Sequence, residues 1–297
     1  MLIIGSHVSY KNDTQLIGSV NEALSYGSNA FMFYTGAPQN TQRGAIDDLK
    51  TYEALNIMKE NNIKLEHVIC HAPYIVNLAN NIEQEKYEFA QNFLRREIER
   101  CQTLGVRYIV LHPGSATKLD RLSAQNNIIR ALNNILLPED KIVILLETMA
   151  GKGTEIGINI DELSYIIENV ELKDKIGVCL DTCHLNDSGI DIANIDEYLD
   201  EFDKKIGISK IGCIHVNDSK NALSAKKDRH ENFGFGTIGF DALINVIYNP
   251  RLENIPKILE TPYIDKDYPP YKQEIEMIKN KTFNSNLYED VVNYYKK

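Results

Sequence analysis

The sequence predicts an α/β protein, a single (β/α)₈ barrel. Three observations predict it. Short apolar runs rich in β-branched residues alternate with longer amphipathic stretches along the whole chain, the pattern of a parallel sheet covered by helices. Such runs number eight, which favours closure into a barrel over an open doubly wound sheet. The 297 residues also hold one barrel of roughly 250 residues, with no proline-rich linker or break in composition to divide them.

In chain order the predicted strands are Leu2–His7, Ala30–Tyr34, Leu65–His71, Tyr108–His112, Ile142–Glu147, Ile176–Asp181, Ile211–His215 and Lys257–Glu260. Helices are expected over Ile46–Asn61, Glu85–Leu104, Ser123–Leu136 and Ile160–Glu168. In Glu85–Leu104 the apolar residues Phe89, Phe93, Ile98 and Cys101 recur at helical steps and predict one buried face, and Gly105 supplies the stop. Residues 1–282 form the barrel domain in this reading. Residues 283–297 form a C-terminal helical tail, with Leu287, Val291, Val292 and Tyr295 at helical spacing. Packing on the barrel and meeting a partner both fit that tail.

Composition sets outer limits. With 43% hydrophobic and 25% charged residues the chain is neither disordered nor a disulfide scaffold. A net charge of −10, taken alone, argues against a nucleic-acid binder. No apolar run approaches the ~18 residues of a membrane span, and the start Met1-Leu2-Ile3-Ile4-Gly5 is unlike a signal peptide. Five cysteines, an odd number, several inside apolar runs, predict reduced, buried thiols in a cytoplasmic protein. Cys179 and Cys183 are not spaced as a zinc knuckle. The glycine cluster Gly151–Gly157 lacks G-x-G-x-x-G spacing and reads as a loop whose N–H groups could meet a phosphate.

The chemistry gathers at strand ends. His71, His112, Glu147, Asp181, His215 and Glu260 close the third to eighth strands in turn. In a barrel these ends surround one pit at the C-terminal face, where such folds place their sites. Six ionisable groups crowded there would repel and desolvate one another unless paired or metal-bound. His184, one helical turn after Asp181, and the pair Asp228 and His230, expected on one side of an extended segment, raise the set to nine. Imidazole with carboxylate suits zinc or a neighbouring divalent ion, and nine ligands suffice for about three ions. The fold class therefore carries a metal site at the C-terminal face of its strands.

Several blocks of sequence resemble the signatures of the endonuclease IV family, the apurinic/apyrimidinic (AP) endonucleases of base-excision repair. They include Gly5-Ser6-His7-Val8-Ser9, His71-Ala72-Pro73-Tyr74, Leu111-His112-Pro113-Gly114-Ser115, Val178-Cys179-Leu180-Asp181-Thr182-Cys183-His184, His215-Val216-Asn217-Asp218-Ser219-Lys220, Asp228-Arg229-His230 and Leu259-Glu260-Thr261, in the family's order. The resemblance implies three zinc ions per chain, with manganese or iron an alternative at one position. His71, His112 and Glu147 would hold the first; Glu147 would bridge to a second completed by Asp181, His215 and Glu260. His184, Asp228 and His230 would hold the third. The implied reaction is attack of a metal-activated hydroxide, oriented by Glu147, on the phosphodiester 5′ to an abasic site. It leaves a 3′-hydroxyl and a 5′-deoxyribose phosphate. The implied partner is double-stranded DNA with abasic sites, bound by a monomer, with no membrane involved.

For lesion recognition, Tyr74 matches the family position that enters the DNA stack. The loop Thr35–Arg43 resembles the family's second intruding loop, with Gln39, Asn40 and Arg43 as candidate contacts, although the chain has no tryptophan. Lys220, Lys226, Lys227 and Arg229 cluster beside the third metal set, and Lys220 and Arg229 are expected to meet phosphates. His7 is assigned support by hydrogen bonding. A one-metal sugar isomerase or epimerase is the rival reading. It would use Glu147, Asp181, His215 and Glu260 and leave the other five ligands without a task.

Overall fold

Inward-facing residues on eight short strands meet in one parallel closed barrel in the computed structural model, which describes residues 2–296. Met1 and Lys297, the outer ends of the two predicted segments, lie outside the described residues. The strands are β1 (Ile4–His7), β2 (Ala30–Phe33), β3 (Val68–His71), β4 (Tyr108–Leu111), β5 (Val143–Glu147), β6 (Ile176–Asp181), β7 (Ile211–His215) and, closing the ring, β10 (Lys257–Leu259). Their order around the barrel is β1-β10-β7-β6-β5-β4-β3-β2. Between β7 and β10 the chain forms a separate antiparallel ribbon of β8 (Asp218–Ser219) and β9 (His230–Glu231). Every predicted run is a barrel strand. The differences lie at the ends: Leu65–His67 is a 3₁₀ turn, and His112 and Glu260 stand one residue beyond β4 and β10.

The inner layer explains both the alternation and the closure. Ile3, Ala30, Met32, Ile69, Val110, Leu145, Cys179, Cys213 and Ile258 fill the barrel as one buried cluster. Residues two further along a strand point the same way, so six of these core positions are followed two residues later by the ligand-type residue of their own strand. Gly5, in β1, is required by close approach: a Cβ there would lie 1.7 Å from the carbonyl oxygen of Ala30.

The covering helices are α1 (Gln15–Ser25), α2 (Asp48–Glu60), α3 (Gln84–Thr103), α4 (Arg121–Ile135), α5 (Ile160–Asn169), α6 (Thr182–Ser188), α7 (Ile195–Lys205), α8 (Phe240–Ile247), α9 (Tyr271–Asn280) and α10 (Leu287–Tyr295). Side-chain caps fix several starts: Asp47, Asp120 and Asn159 accept backbone N–H bonds at the heads of α2, α4 and α5. One predicted face is corrected. In α3, Phe93, Ile98 and Cys101 are buried, but Phe89 is 45% exposed. The buried row runs through Tyr87, Ala90, Leu94 and Cys101, and Phe89 lies about 200° from Tyr87 at 100° per residue. It stacks on Phe93 at 5.9 Å instead.

In the tail, α10 buries Leu287 and Val291. Phe235 packs on Phe283 and Tyr288 at 5.0 and 4.7 Å. The tail therefore packs on the barrel. All five cysteines are buried and free. Among the described residues no helix is long and apolar enough to cross a membrane.

Candidate metal centre

All nine ligand-type residues converge at the C-terminal mouth of the barrel, with Glu147 at the centre. Its Oε2 lies 3.2 Å from His71 Nε2 and 3.0 Å from His112 Nε2. Its Oε1 lies 3.1 Å from His215 Nδ1. The same His215 nitrogen is 3.1 Å from Glu260 Oε2 and 3.8 Å from Asp181 Oδ2. Two donor groups, His71–His112–Glu147 and Glu147–Asp181–His215–Glu260, are each compact enough for one ion and share Glu147.

A third group stands beside them. His184 Nε2 and His230 Nε2 are 3.0 and 3.6 Å from Asp228 Oδ1. Asp181 Oδ2 lies 3.7 Å from His230 Nε2, so Asp181 faces this group as well as the second. The chain is not extended at Asp228: its φ is +57°, and that left-handed turn still brings Asp228 and His230 together. Cys183 is buried near Asp228 and His230, where burial, with Asp181 next, pushes its thiol up.

These residues fit divalent ions. Donors bound tetrahedrally at about 2.0–2.1 Å lie about 3.3 Å apart, close to the separations found. His71, His184 and His230 place Nδ1 2.7, 2.8 and 3.2 Å from the carbonyls of Ala72, Thr148 and Glu260. A carbonyl only accepts, so Nδ1 donates to it and Nε2 is the ring nitrogen turned to the pit, the one that would meet an ion. His230 Nε2 is buried with no hydrogen-bond partner, the state of a donor atom aimed at an ion.

Electrostatics tie the imidazoles and carboxylates of the pit to one another. Burial would raise the Glu147 carboxyl, but the imidazoles of His112 and His215 outweigh it and hold it well below the usual range. Burial would likewise raise Glu260, and His215 lowers it on balance. Burial opposes charging of His184 and His215. For His184 the carboxylates, Asp181 first, reverse that; for His215, Cys179 and then Glu260 and Glu147 do so, and both imidazoles are raised.

Residues outside the nine hold the ligands in place, and sequence reasoning missed them. Asn217 donates from Nδ2 to Asp181 Oδ2 and accepts the Glu260 N–H at Oδ1, both at 2.8 Å. Thr148 Oγ1 accepts the Asp181 N–H. Glu274 accepts from Thr261 Oγ1, Asn232 Nδ2 and Phe233 N, next to Glu260 and the β9 ligand; burial raises its carboxyl to about 7. Asn217 lies inside the His215–Lys220 block and was available as a signal. Glu274 follows the site by fourteen residues and carries none.

The predicted DNA contacts divide. Tyr74 is 54% exposed, and Gln39, Asn40, Lys220 and Arg229 are exposed as well. Lys220 lies 3.9 Å from Glu231. Arg43 is corrected: its Nε is 2.8 Å from the buried Glu97, its Nη1 donates to carbonyls of its own loop, and its guanidinium lies over Phe93. It anchors the loop and has little left to offer a phosphate. His7 has no hydrogen-bond partner at its buried Nε2. It packs on Tyr34 at 4.9 Å, so its support comes through ring contact. In the Gly151–Gly157 loop the N–H groups of Gly151 and Lys152 bond to the Glu155 carboxylate, that of Ile156 to the Gly114 carbonyl and that of Gly157 to Glu162, which leaves few of them for a phosphate.

Comparison with known proteins agrees with this geometry. Residues 20–281 match the family model described as a xylose isomerase-like TIM barrel. The chain is 49% identical to the probable endonuclease 4 of Mesoplasma florum, over 96% of this chain and 98% of that protein. It is 54% identical to the probable endonuclease 4 of Ureaplasma urealyticum (94% and 94%) and 50% identical to that of Bacillus cytotoxicus (98% and 99%). The crystal structure of endonuclease IV from Thermus thermophilus superposes with a TM-score of 0.79 at 28% identity, covering 93% of this chain and 97% of that one. A D-tagatose 3-epimerase-like protein shares the fold at a TM-score of 0.66 and 19% identity, covering 99% and 100%. With half-identical relatives aligned over nearly the full length, the chain belongs to the endonuclease IV family.

Proposed function

We propose that this chain is an AP endonuclease of base-excision DNA repair. It hydrolyses the phosphodiester 5′ to an abasic site in duplex DNA, leaving a 3′-hydroxyl and a 5′-deoxyribose phosphate. The observation that carries the reading is the convergence of two donor groups that share Glu147 with a third beside them, around His184, Asp228 and His230. His71, His112 and Glu147 would hold one ion; Glu147, Asp181, His215 and Glu260 a second; His184, Asp228 and His230 a third. The imidazole–carboxylate mixture suits zinc, with manganese or iron an alternative at one position. When bound, such ions supply a nucleophile at neutral pH and neutralise charge on the phosphate and the departing 3′-oxygen.

The chain's own residues bind and orient. Glu147 spans two donor groups and so aligns them on one phosphate. Nδ1–H bonds to backbone carbonyls fix the imidazoles of His71, His184 and His230, which leaves no reorganisation for the moment of reaction. Exposed Tyr74 is suited to fill the stack beside an extruded sugar, with Gln39 and Asn40 on the neighbouring loop. Lys220, Lys226, Lys227 and Arg229 supply phosphate contacts. The enzyme acts as a cytoplasmic monomer.

The test is a duplex with one abasic-site analogue beside an undamaged duplex, together with metal analysis of the purified chain. A nick 5′ to the lesion ending in a 3′-hydroxyl, with close to three ions per chain, is expected. A single ion and no nick would favour a sugar isomerase, which has no use for His71, His112, His184, Asp228 and His230.

A further inference from the structure

Asp187 is a fully buried carboxylate outside the nine ligands. It lies in α6, one turn beyond His184. Its Oδ1 accepts from Ser219 Oγ at 2.7 Å and Asn186 Nδ2 at 3.1 Å. Its Oδ2 accepts from Asn221 Nδ2 at 2.9 Å, the Asp228 N–H at 2.9 Å and the Lys227 N–H at 3.4 Å. Its backbone carbonyl accepts the Lys226 N–H at 3.0 Å. One side chain thus joins the helix that carries His184 to the loop that carries Asp228 and leads into His230.

That loop needs holding. Ser224, Lys226 and Asp228 all adopt left-handed backbone conformations, with φ of +66°, +55° and +57°. Such conformations cost energy for residues other than glycine and persist only where surrounding contacts impose them. Lys226, Lys227 and Arg229 project outward as a cationic edge, so self-repulsion adds to the strain. Five hydrogen bonds converging on one carboxylate supply the restraint, and the Asp228 N–H bond acts on a ligand residue itself.

We propose that Asp187 is a positioning residue that assembles the third metal site, by holding Asp228 and His230 in register with His184. The inference rests on reading His184, Asp228 and His230 as ligands to one ion. Outer residues that orient metal ligands are typically worth 10- to 100-fold in metal affinity. Asn at position 187 cannot replace the carboxylate. Whichever way the amide is turned, its NH₂ faces donors that the carboxylate accepted, leaving them unsatisfied.

The experiment titrates zinc-loaded protein with a graded chelator and counts the ions retained. The wild type is expected to keep three until a common threshold. Asp187→Asn is expected to give up one ion at roughly 10- to 100-fold higher free zinc while keeping two. Added zinc should restore its nicking of abasic-site duplex. Fewer than three ions in the wild type would overturn the functional reading itself. Three ions in the wild type and in a folded Asp187→Asn, released at the same threshold, would overturn only the role of Asp187. Should Asp187→Asn fail to fold, Asn221→Ala decides, because it deletes one donor to Oδ2 from a half-buried loop position and leaves the carboxylate in place. An intermediate shift in the threshold for one ion supports the proposal; no shift overturns it.

Discussion

The same six strands serve two opposite purposes along their length. At mid-barrel Ile69, Val110, Leu145, Cys179, Cys213 and Ile258 form a dry packed layer. Two residues later the same strands present His71, His112, Glu147, Asp181, His215 and Glu260 to the pit. One pleat separates a region where burial favours apolar groups from one where burial is tolerated only because opposite charges, and by proposal metals, compensate. The core layer fixes where strand ends fall, and the end layer converts that placement into chemistry. Mutations in the two layers should therefore fail differently.

The largest effect is expected at the mouth. Glu147→Gln should fold and bind abasic-site duplex, yet lose nicking by roughly a hundredfold or more, since the change removes a charge shared by two donor groups. Near-normal nicking by that variant would remove Glu147 from the mechanism. One pleat below, Leu145→Ala should do the reverse. Thermal or denaturant unfolding should register a loss of about 2–5 kcal/mol, with the count of bound ions unchanged. If Leu145→Ala also strips metal, the two layers are not independent and the contrast fails.

Glu274 sharpens the boundary between the layers. Its carboxyl, at about 7 in the folded chain, lies above its ordinary value near 4.5, so folding favours the protonated form. That contribution is present below about pH 4.5 and is lost as pH rises through about 7. Glu274→Gln mimics the protonated group, and its Nε2 can donate to Thr261. Melting curves from pH 5 to 8 should be flatter for the variant, by at most about 3 kcal/mol; identical slopes would show that Glu274 titrates normally. The smallest effect is expected furthest out. Tyr74→Ala should weaken binding to abasic-site duplex by about 1–3 kcal/mol, the usual worth of one stacking contact, and leave undamaged duplex binding nearly unchanged. Equal losses on both duplexes would make Tyr74 a general contact.

Net charge shows why an average misleads. The chain carries −10, and three divalent ions would bring it to −10 + 6 = −4. Glu147, Asp181, Asp228 and Glu260 lie in the pit, while Lys226, Lys227 and Arg229 edge it. The acidity that argues against DNA is in part the acidity that would hold metal.

The barrel and six of the nine ligand-type residues were legible from order alone, because a period of two and a residue's place at a strand end survive any detail of packing; His184, Asp228 and His230 were named from residue type and spacing near those ends. Phe89 was misplaced because its steps along α3 fit a helix without saying which side the core occupies. Arg43 was misread because only folding brings Glu97, 54 positions away, beneath its guanidinium. The Gly151–Gly157 segment could be named as a loop, but where its N–H groups point depends on Gly114 and Glu162. Sequence by itself thus determined which groups meet at the mouth of the barrel. Tertiary structure decided how they are held: through Asn217, Glu274 and Asp187, polar side chains whose roles depend on partners from distant segments. Hydrogen bonds are short and directional, so no local pattern announces them before the chain is closed.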